Sequence, residues 1–386
     1  MNTQVSFLEG TYTLIHIPLD LYTSLFQPII RLLLPQSPAE TSSSELTDGD
    51  YEVLSADREH GFLNISITPI ECSIVCHSTW AEKVFVPAIQ KLPKDASKSV
   101  SVSKESYMVL SVISAGLDPA GRVMELTSPL ALAGISLFFI STYYSDFILV
   151  PTKDRQNVTK ALIAKGFELS DNKSDFTTPT PQGRKRTTST TSPPNTPPPA
   201  SISELQARAF ELLKKRNVTP QVDSTLELVP CSGRETSQLS GEFSHSAHVG
   251  RGNGHSKQSW LSGIDATLYL CIVSALASQP RFMSITLAHE DPPSLLLDKE
   301  LLKVFGESVV GDTDGVHIPI FLDLVNLPFE VTGIVCGVAG RLVQEMQMTA
   351  SSELSYLSTA RAGAVILPEE HSRRALETLM PLLSKD

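Results

Sequence analysis

The chain has 386 residues, enough for about two or three domains, with 41% hydrophobic and 19% charged residues, as in an ordinary globular protein. A net charge of −11 argues against a molecule built as a whole to hold nucleic acid or an anionic membrane surface. Five cysteines (Cys72, Cys76, Cys231, Cys271 and Cys336) are odd in number and sit mostly in apolar segments. That predicts buried, reduced thiols in a cytosolic protein, without a metal.

Residues 1–10 lack a basic region followed by an apolar core, so no secretory leader is expected. The period-2 run at 12–17 predicts a strand, and 22–34 a helix interrupted by Pro28. A polar insertion, SPAETSSSELTDGD, fills a loop at 36–50. Residues 62–68 and 72–76 form a hairpin across Pro69-Ile70, with Cys72 and Cys76 on one strand face. A helix follows over 79–90, a strand over 107–113 and a helix over 123–132. The apolar stretch 129–140 is broken by Gly134 and Ser136 and falls short of the ~20 residues that a membrane-spanning helix needs. LFFISTYYSDFILVP (137–151) then reads as two strands folded back on each other, and Asp154 is placed to cap a helix running to about residue 164.

Composition changes at 171–200, with FTTPTPQGRKRTTSTTSPPNTPPPA dense in Pro, Thr and Ser. Such a segment buries too little surface to offset its ordering entropy, which predicts a disordered linker between two halves. Arg184, Lys185 and Arg186 precede Thr187 and Ser189, and Thr178, Thr180, Ser192 and Thr196 each precede a proline. These are candidate phosphorylation sites. SISELQARAFELLKKRN reads as a short helix with a capping box at Ser203 and Gln206. A second insertion at 232–260 holds His245, His248 and His255 without nearby thiolates or carboxylates on a rigid element, so it reads as a loop rather than a metal site. GRGNG inside it lacks the strand-to-helix context of a dinucleotide loop.

With the linker removed, the halves echo each other. TLIHIP resembles TLELVP, residues 62–85 line up without a gap against 282–305, and 135–162 against 352–379, where LSYLSTARAGAVILP repeats the quoted hairpin. A nearly constant offset points to internal duplication. The order strand, helix, hairpin, helix, strand gives an α+β expectation of four ferredoxin-like βαββαβ units in two tandem pairs. Their boundaries would be 1–100, 101–170, 201–315 and 316–386, with 171–200 as the linker.

Paired units of this kind resemble ACT domains, the amino-acid-sensing modules of aspartate kinase and related enzymes. GISLFFISTYYSDFILV, together with NLPFEVTGIVCGVAG followed by LSYLST, is similar to the CASTOR family of cytosolic arginine sensors, which act on the GATOR complex upstream of the target-of-rapamycin kinase. The resemblance implies an amino acid bound between units two and four. On this sequence it implies contacts from Ser136, Leu137, Pro328, Thr359, Ala360 and Gly363. The pattern departs from the family at Gly363, where an aspartate would face bound arginine, at Pro328, which replaces a glycine, and at Arg361, which adds positive charge. These departures tell against arginine, unless Glu330, Glu345 or Glu353 supplies a carboxylate. The resemblance also implies that Tyr143, Tyr144 and Asp146 face a GATOR-type protein partner. The alternative is that Tyr143 packs under its hairpin and Asp146 satisfies turn amides.

No nucleophile elbow, HExxH or P-loop occurs, and no nucleophile–base–acid set stands out. The expectation is therefore a non-enzymatic, cytoplasmic amino-acid-binding regulator without cofactor, free or as a homodimer, which signals through protein contacts. An interaction protein with an empty pocket, or a regulatory subunit of an amino-acid-biosynthetic enzyme, are the alternatives.

Overall fold

A computed structural model describes residues 3–33, 61–113, 117–170, 199–234, 266–288, 291–328, 330–349 and 352–384. The insertion at 36–50, nearly all of the linker with Thr178, Thr180, Thr187, Ser189, Ser192 and Thr196, and the three loop histidines lie outside the described residues.

In the first half, the strands are β1 (Gln4–Phe7), β2 (Tyr12–Ile17), β3 (Phe62–Ile67), β4 (Cys72–His77), β5 (Ser101–Val102), β6 (Tyr107–Ile113), β7 (Phe138–Ser141), β8 (Asp146–Pro151) and β9 (Glu168–Ser170). The second half supplies β10 (Pro220–Val222), β11 (Leu228–Gly233), β12 (Met283–Ala288), β13 (Ser294–Asp298), β14 (Val309–Val310), β15 (His317–Asp323), β16 (Ser355–Ser358) and β17 (Ala362–Pro368). The longer α-helices are α1 (Phe26–Leu33), α2 (Arg122–Leu132), α3 (Arg155–Lys165), α4 (Ile202–Lys215), α5 (Ala266–Ala277), α6 (Ile334–Met346) and α7 (Glu369–Leu383).

The expectation of four separate ferredoxin-like units is overturned by how these strands pair. Twelve of them run antiparallel in one closed circuit: β3, β12, β13, β11, β15, β17, β16, β7, β8, β6, β2, β4 and back to β3. The short strands β1, β5, β9, β10 and β14 attach to this barrel. The physical reason is edge pairing, since an isolated four-stranded sheet leaves unpaired backbone groups along its outer strands. Here β3 and β12 absorb each other's edge, from Phe62↔Ala288 to Ile67↔Met283. Buried side chains stitch the same seam: Asn64 Nδ2 donates to Thr286 Oγ1 at 3.0 Å, and Ser66 Oγ lies 2.8 Å from Ser284 Oγ.

Both faces of the sheet are buried, which explains why its strands read as nearly continuous apolar runs. Phe147 and Leu149 turn inward to a core made largely by strands, with Tyr12, Phe62, Phe282 and Phe321. Ile148 and Val150, the alternate residues, turn outward under helices. The outer helices fall into two groups that mix the halves. One core gathers residues of α2, α3, α4, α6 and α7; the other gathers α1, α5 and the helical stretch 78–90. Of the five cysteines, all but Cys271 are buried, and burial pushes the Cys76 and Cys231 thiols up to about 12.

Local chemistry corrects one detail of α4. Its cap is Ser201, whose Oγ accepts from Glu204 N–H at 3.2 Å while Glu204 Oε2 accepts from Ala200 N–H at 2.8 Å. The capping box is real but lies two residues earlier than the spacing of Ser203 and Gln206 implies. Gln206 is instead buried against α6, where Gly340 leaves room for its amide. Among the described residues, no helix is long and apolar enough to cross a membrane.

Candidate ligand-binding site

The hairpins β7–β8 and β16–β17 have the same register, each pair in the second lying 217 positions after its twin: Phe138↔Leu149 and Ser355↔Ile366, Ser141↔Asp146 and Ser358↔Gly363. They meet through β7 and β16, with Leu357 opposite Ile140. The contact is reciprocal. Phe139 N–H donates to Ser358 Oγ at 2.9 Å, and its twin Tyr356 N–H donates to Ser141 Oγ at 3.0 Å. A pseudo-twofold axis therefore passes between the hairpins and relates two places, one on each side.

One of the two is an open cleft. It lies between the start of β7, the β16–β17 turn and the segment that leads into α6, and the space open to the centre of a water molecule is about 60 Å³. Leu137, Leu327, Val331, Ile334, Val335 and Tyr356 supply the apolar part of its wall, and Ser358 and Thr359 are among its polar residues, so that the lining is about as polar as it is apolar. Gly333 enters α6 with φ +82°, a conformation that a residue with a Cβ adopts only with strain. No side chain caps this helix, so its first N–H groups are left without intrahelical acceptors beside Ile334 and Val335, which line the cleft.

Tyr356 is 1% exposed, and among the described residues its hydroxyl makes no hydrogen bond. Burial raises its pKa far above the ordinary phenol value, so the group stays a neutral O–H. The hydroxyl stands over Gly363, where any Cβ would collide with it. Gly363 thus acts on the cleft through Tyr356 and is not part of the wall. Of the six residues implied for the ligand, Leu137, Pro328, Thr359 and Ala360 line the cleft; Ser136 is half-buried and does not.

The turn that carries Thr359 and Ala360 is clamped from the first half of the chain. Glu71, fully buried in the β3–β4 turn, accepts from Thr359 Oγ1 and from Arg361 N–H, both at 2.5 Å, and lies 2.5 Å from His16 Nδ1. Ser73 Oγ accepts from Ala360 N–H at 3.0 Å. The Arg361 side chain runs toward Ser101 Oγ, 3.5 Å away, so its charge does not line the cleft. Glu345 pairs with Arg341 at 2.8 Å, Glu353 lies 3.9 Å from His317, and Glu330 is exposed. Among the described residues, no charged side chain lines the cleft.

The Tyr143–Tyr144 turn lies on the surface. The rings are 40% and 48% exposed and meet edge to face at 4.9 Å. Asp146 differs from them. It is 1% exposed, with Arg122 Nε 3.5 Å from its Oδ2, so it presents no carboxylate to a partner in this conformation. Glu71 and Tyr356 were missed in the sequence. Glu71 follows a Thr-Pro turn and could be noted as a turn carboxylate, but nothing local announces a contact across 288 residues.

Residues 102–164 match the ACT domain family. This segment holds β6, α2, β7, β8 and nearly all of α3, hence one of the two hairpins. No curated protein matches the chain significantly. Among solved structures, aspartate kinase from Synechocystis is similar over 99% of this chain and 56% of its own, at 10% identity and TM-score 0.29. A protein from Agrobacterium tumefaciens is 19% identical over 45% of this chain and 96% of its own, with TM-score 0.28. The regulatory subunit of aspartate kinase from Thermus thermophilus is 10% identical over 42% of this chain and 97% of its own, with TM-score 0.23.

Proposed function

We propose that this protein is a non-catalytic regulator that binds one small amino acid in the open cleft and reports its presence through protein contacts. The buried hydroxyl of Tyr356, a residue that lines the cleft, has no hydrogen-bond partner among the described residues and carries the reading. A buried polar group left unmade costs about 1–3 kcal/mol, and a ligand that pairs with it recovers that cost. The uncapped start of α6 offers N–H groups and a positive dipole end to an α-carboxylate. Leu137, Leu327 and Val331 then favour an apolar side chain, and the absence of any lining carboxylate among the described residues disfavours arginine. An ACT domain in residues 102–164 is consistent with an amino acid as the ligand class.

For the output, the CASTOR-like resemblance points to a GATOR-type partner and to control of the target-of-rapamycin pathway. Tyr143 and Tyr144 are the exposed aromatic pair available for such a contact. Their turn borrows a hydrogen bond from the second half, Tyr143 N–H to Ser294 Oγ at 2.8 Å, so a change in how the halves meet would be felt there.

The test is thermal unfolding of the full chain against the twenty amino acids, in wild type and Tyr356→Phe. A ligand at 100 times its Kd stabilises by about 2.7 kcal/mol, a rise in Tm of several degrees. Tyr356→Phe removes an unpaired buried hydroxyl, so the free protein should be as stable as wild type or more stable, while ligand affinity falls about tenfold. A flat response across the panel refutes the reading.

A further inference from the structure

The second of the two places that the pseudo-twofold axis relates, the second cleft, is built differently at three linked positions. Ile334, Tyr356 and Gly363 of the open cleft correspond to Arg122, Phe139 and Asp146. The correspondence rests on place: a glycine precedes the first residue of each helix, right-handed at Gly121 and left-handed at Gly333, and the hairpin positions share one register. We infer that the second cleft is a guanidinium-binding site and that the chain fills it itself, with Arg122.

Arg122 reaches from the first turn of α2 to both hairpins. Its Nε lies 3.5 Å from Asp146 Oδ2 at the start of β8, and its Nη2 donates to Ser355 Oγ at 3.3 Å at the start of β16. Ser355 and Asp146 are the twins of Phe138 and Gly363, which stand at the open cleft. Asp146 is 1% exposed and the Arg122 side chain 19%. A carboxylate so deeply buried keeps its charge only beside a cation. A planar guanidinium can serve a carboxylate and a hydroxyl on two different strands at once, which a point-like ammonium does less well. Glu353, two residues before Ser355, adds a second carboxylate. His317, 3.9 Å away, is the main influence that holds its carboxyl below the usual range, and the Arg122 charge contributes.

The three positions make sense only as a set. Asp146 has a Cβ where Gly363 has none, and Phe139 lacks the hydroxyl that Tyr356 places over Gly363. With a cation supplied from α2, the second cleft pairs opposite charges and has no orphaned phenol, although the buried Arg122 Nε meets Asp146 as an ion pair and makes no hydrogen bond. The open cleft has neither the arginine nor the acid, and keeps the unpartnered hydroxyl.

The experiment is chemical rescue in the full-length protein. Arg122→Gly should lower the Tm by about 5 °C, because it takes the cation away from a buried carboxylate. Millimolar methylguanidinium should restore about half of that loss, methylammonium should not, and wild type should respond to neither. A folded variant with no recovery, or with equal recovery from both cations, overturns the inference. If Arg122→Gly does not fold, the comparison is Arg122→Ile against Arg122→Ile with Asp146→Gly, which copies the open cleft. The double variant should be the more stable, and the inference falls if it is not. The ligand of the open cleft plays no part in these measurements, so their failure leaves the proposed function untouched.

Discussion

The β7–β8 and β16–β17 turns are one design made twice and then held differently. In each, a threonine closes the turn: Thr142 N–H donates to the Ser145 carbonyl at 3.0 Å, and Thr359 N–H to the Ala362 carbonyl at 2.9 Å. The hydroxyls repeat the pattern, with Ser145 N–H donating to Thr142 Oγ1 and Ala362 N–H to Thr359 Oγ1. A serine on the opposite half then accepts from the next residue, Ser294 from Tyr143 and Ser73 from Ala360. The difference begins beyond that point. Glu71 locks the second turn with two short hydrogen bonds, whereas its counterpart in the alignment, Asp291, keeps a buried Oδ2 without a partner among the described residues. One copy is thereby fixed to form the wall of a cleft, and the other is left with two tyrosines on the surface.

The largest effect should come from removing the clamp. Glu71→Ala takes the carboxylate away from Arg361 N–H and His16 Nδ1 and leaves the Thr359 hydroxyl only its longer bond to the Ala362 carbonyl, at a cost of about 2–4 kcal/mol in denaturant unfolding. It should also loosen the cleft, so that any amino-acid response weakens along with stability. Retained stability would show that the two turns are not held differently after all. Second in size, the combination Ile334→Arg, Tyr356→Phe and Gly363→Asp transplants the filled cleft onto the open one. The protein should stay folded and lose its thermal response to amino acids, whereas Ile334→Arg or Gly363→Asp alone should cost stability. A third comparison replaces Tyr143 and Tyr144 with alanine. Both rings are substantially exposed, so stability should change by less than about 0.5 kcal/mol while a co-purifying partner is lost. A partner that remains bound would take the contact role away from this turn.

The smallest effect concerns pH. Glu353 has a lowered carboxyl pKa in the folded chain, with His317 the main cause. A depressed folded value means stability that is present above the unfolded carboxylate pKa, about 4.3, and is lost as pH falls through the lower folded value. His317→Ala should therefore shift acid unfolding slightly upward in pH. The shift should be slight because about half of the Glu353 side chain is exposed.

Much of the local structure was legible. The strand over 107–113 matches β6 residue for residue, and the helix expected over 123–132 begins one residue earlier, at Arg122. Both hairpins fall where aromatic and β-branched runs flank a polar turn. Asp154 occupies the N-cap position of α3, although its side chain makes no cap hydrogen bond. In the candidate site, Leu137, Pro328, Thr359 and Ala360 do line one cleft, whereas Ser136 stands aside and Asp146 is buried. Asp146 shows why: a carboxylate in a turn sequence carries the same local signal whether it faces solvent or an arginine on another element.

What the amino-acid sequence determines by itself is the inventory: where strands, turns and helices fall, and that the hairpin occurs twice. Those properties depend on neighbours within a turn or a strand length. Which strand edges meet, and so whether the sheets stay separate or close into one barrel, was decided by the pairing of β3 with β12 and of β7 with β16. The same is true of the cleft, whose wall joins residues from the two halves and whose turn is fixed by Glu71. An unpaired backbone edge and a buried carboxylate must each find a partner, but nothing within reach of either along the chain says which partner it will be.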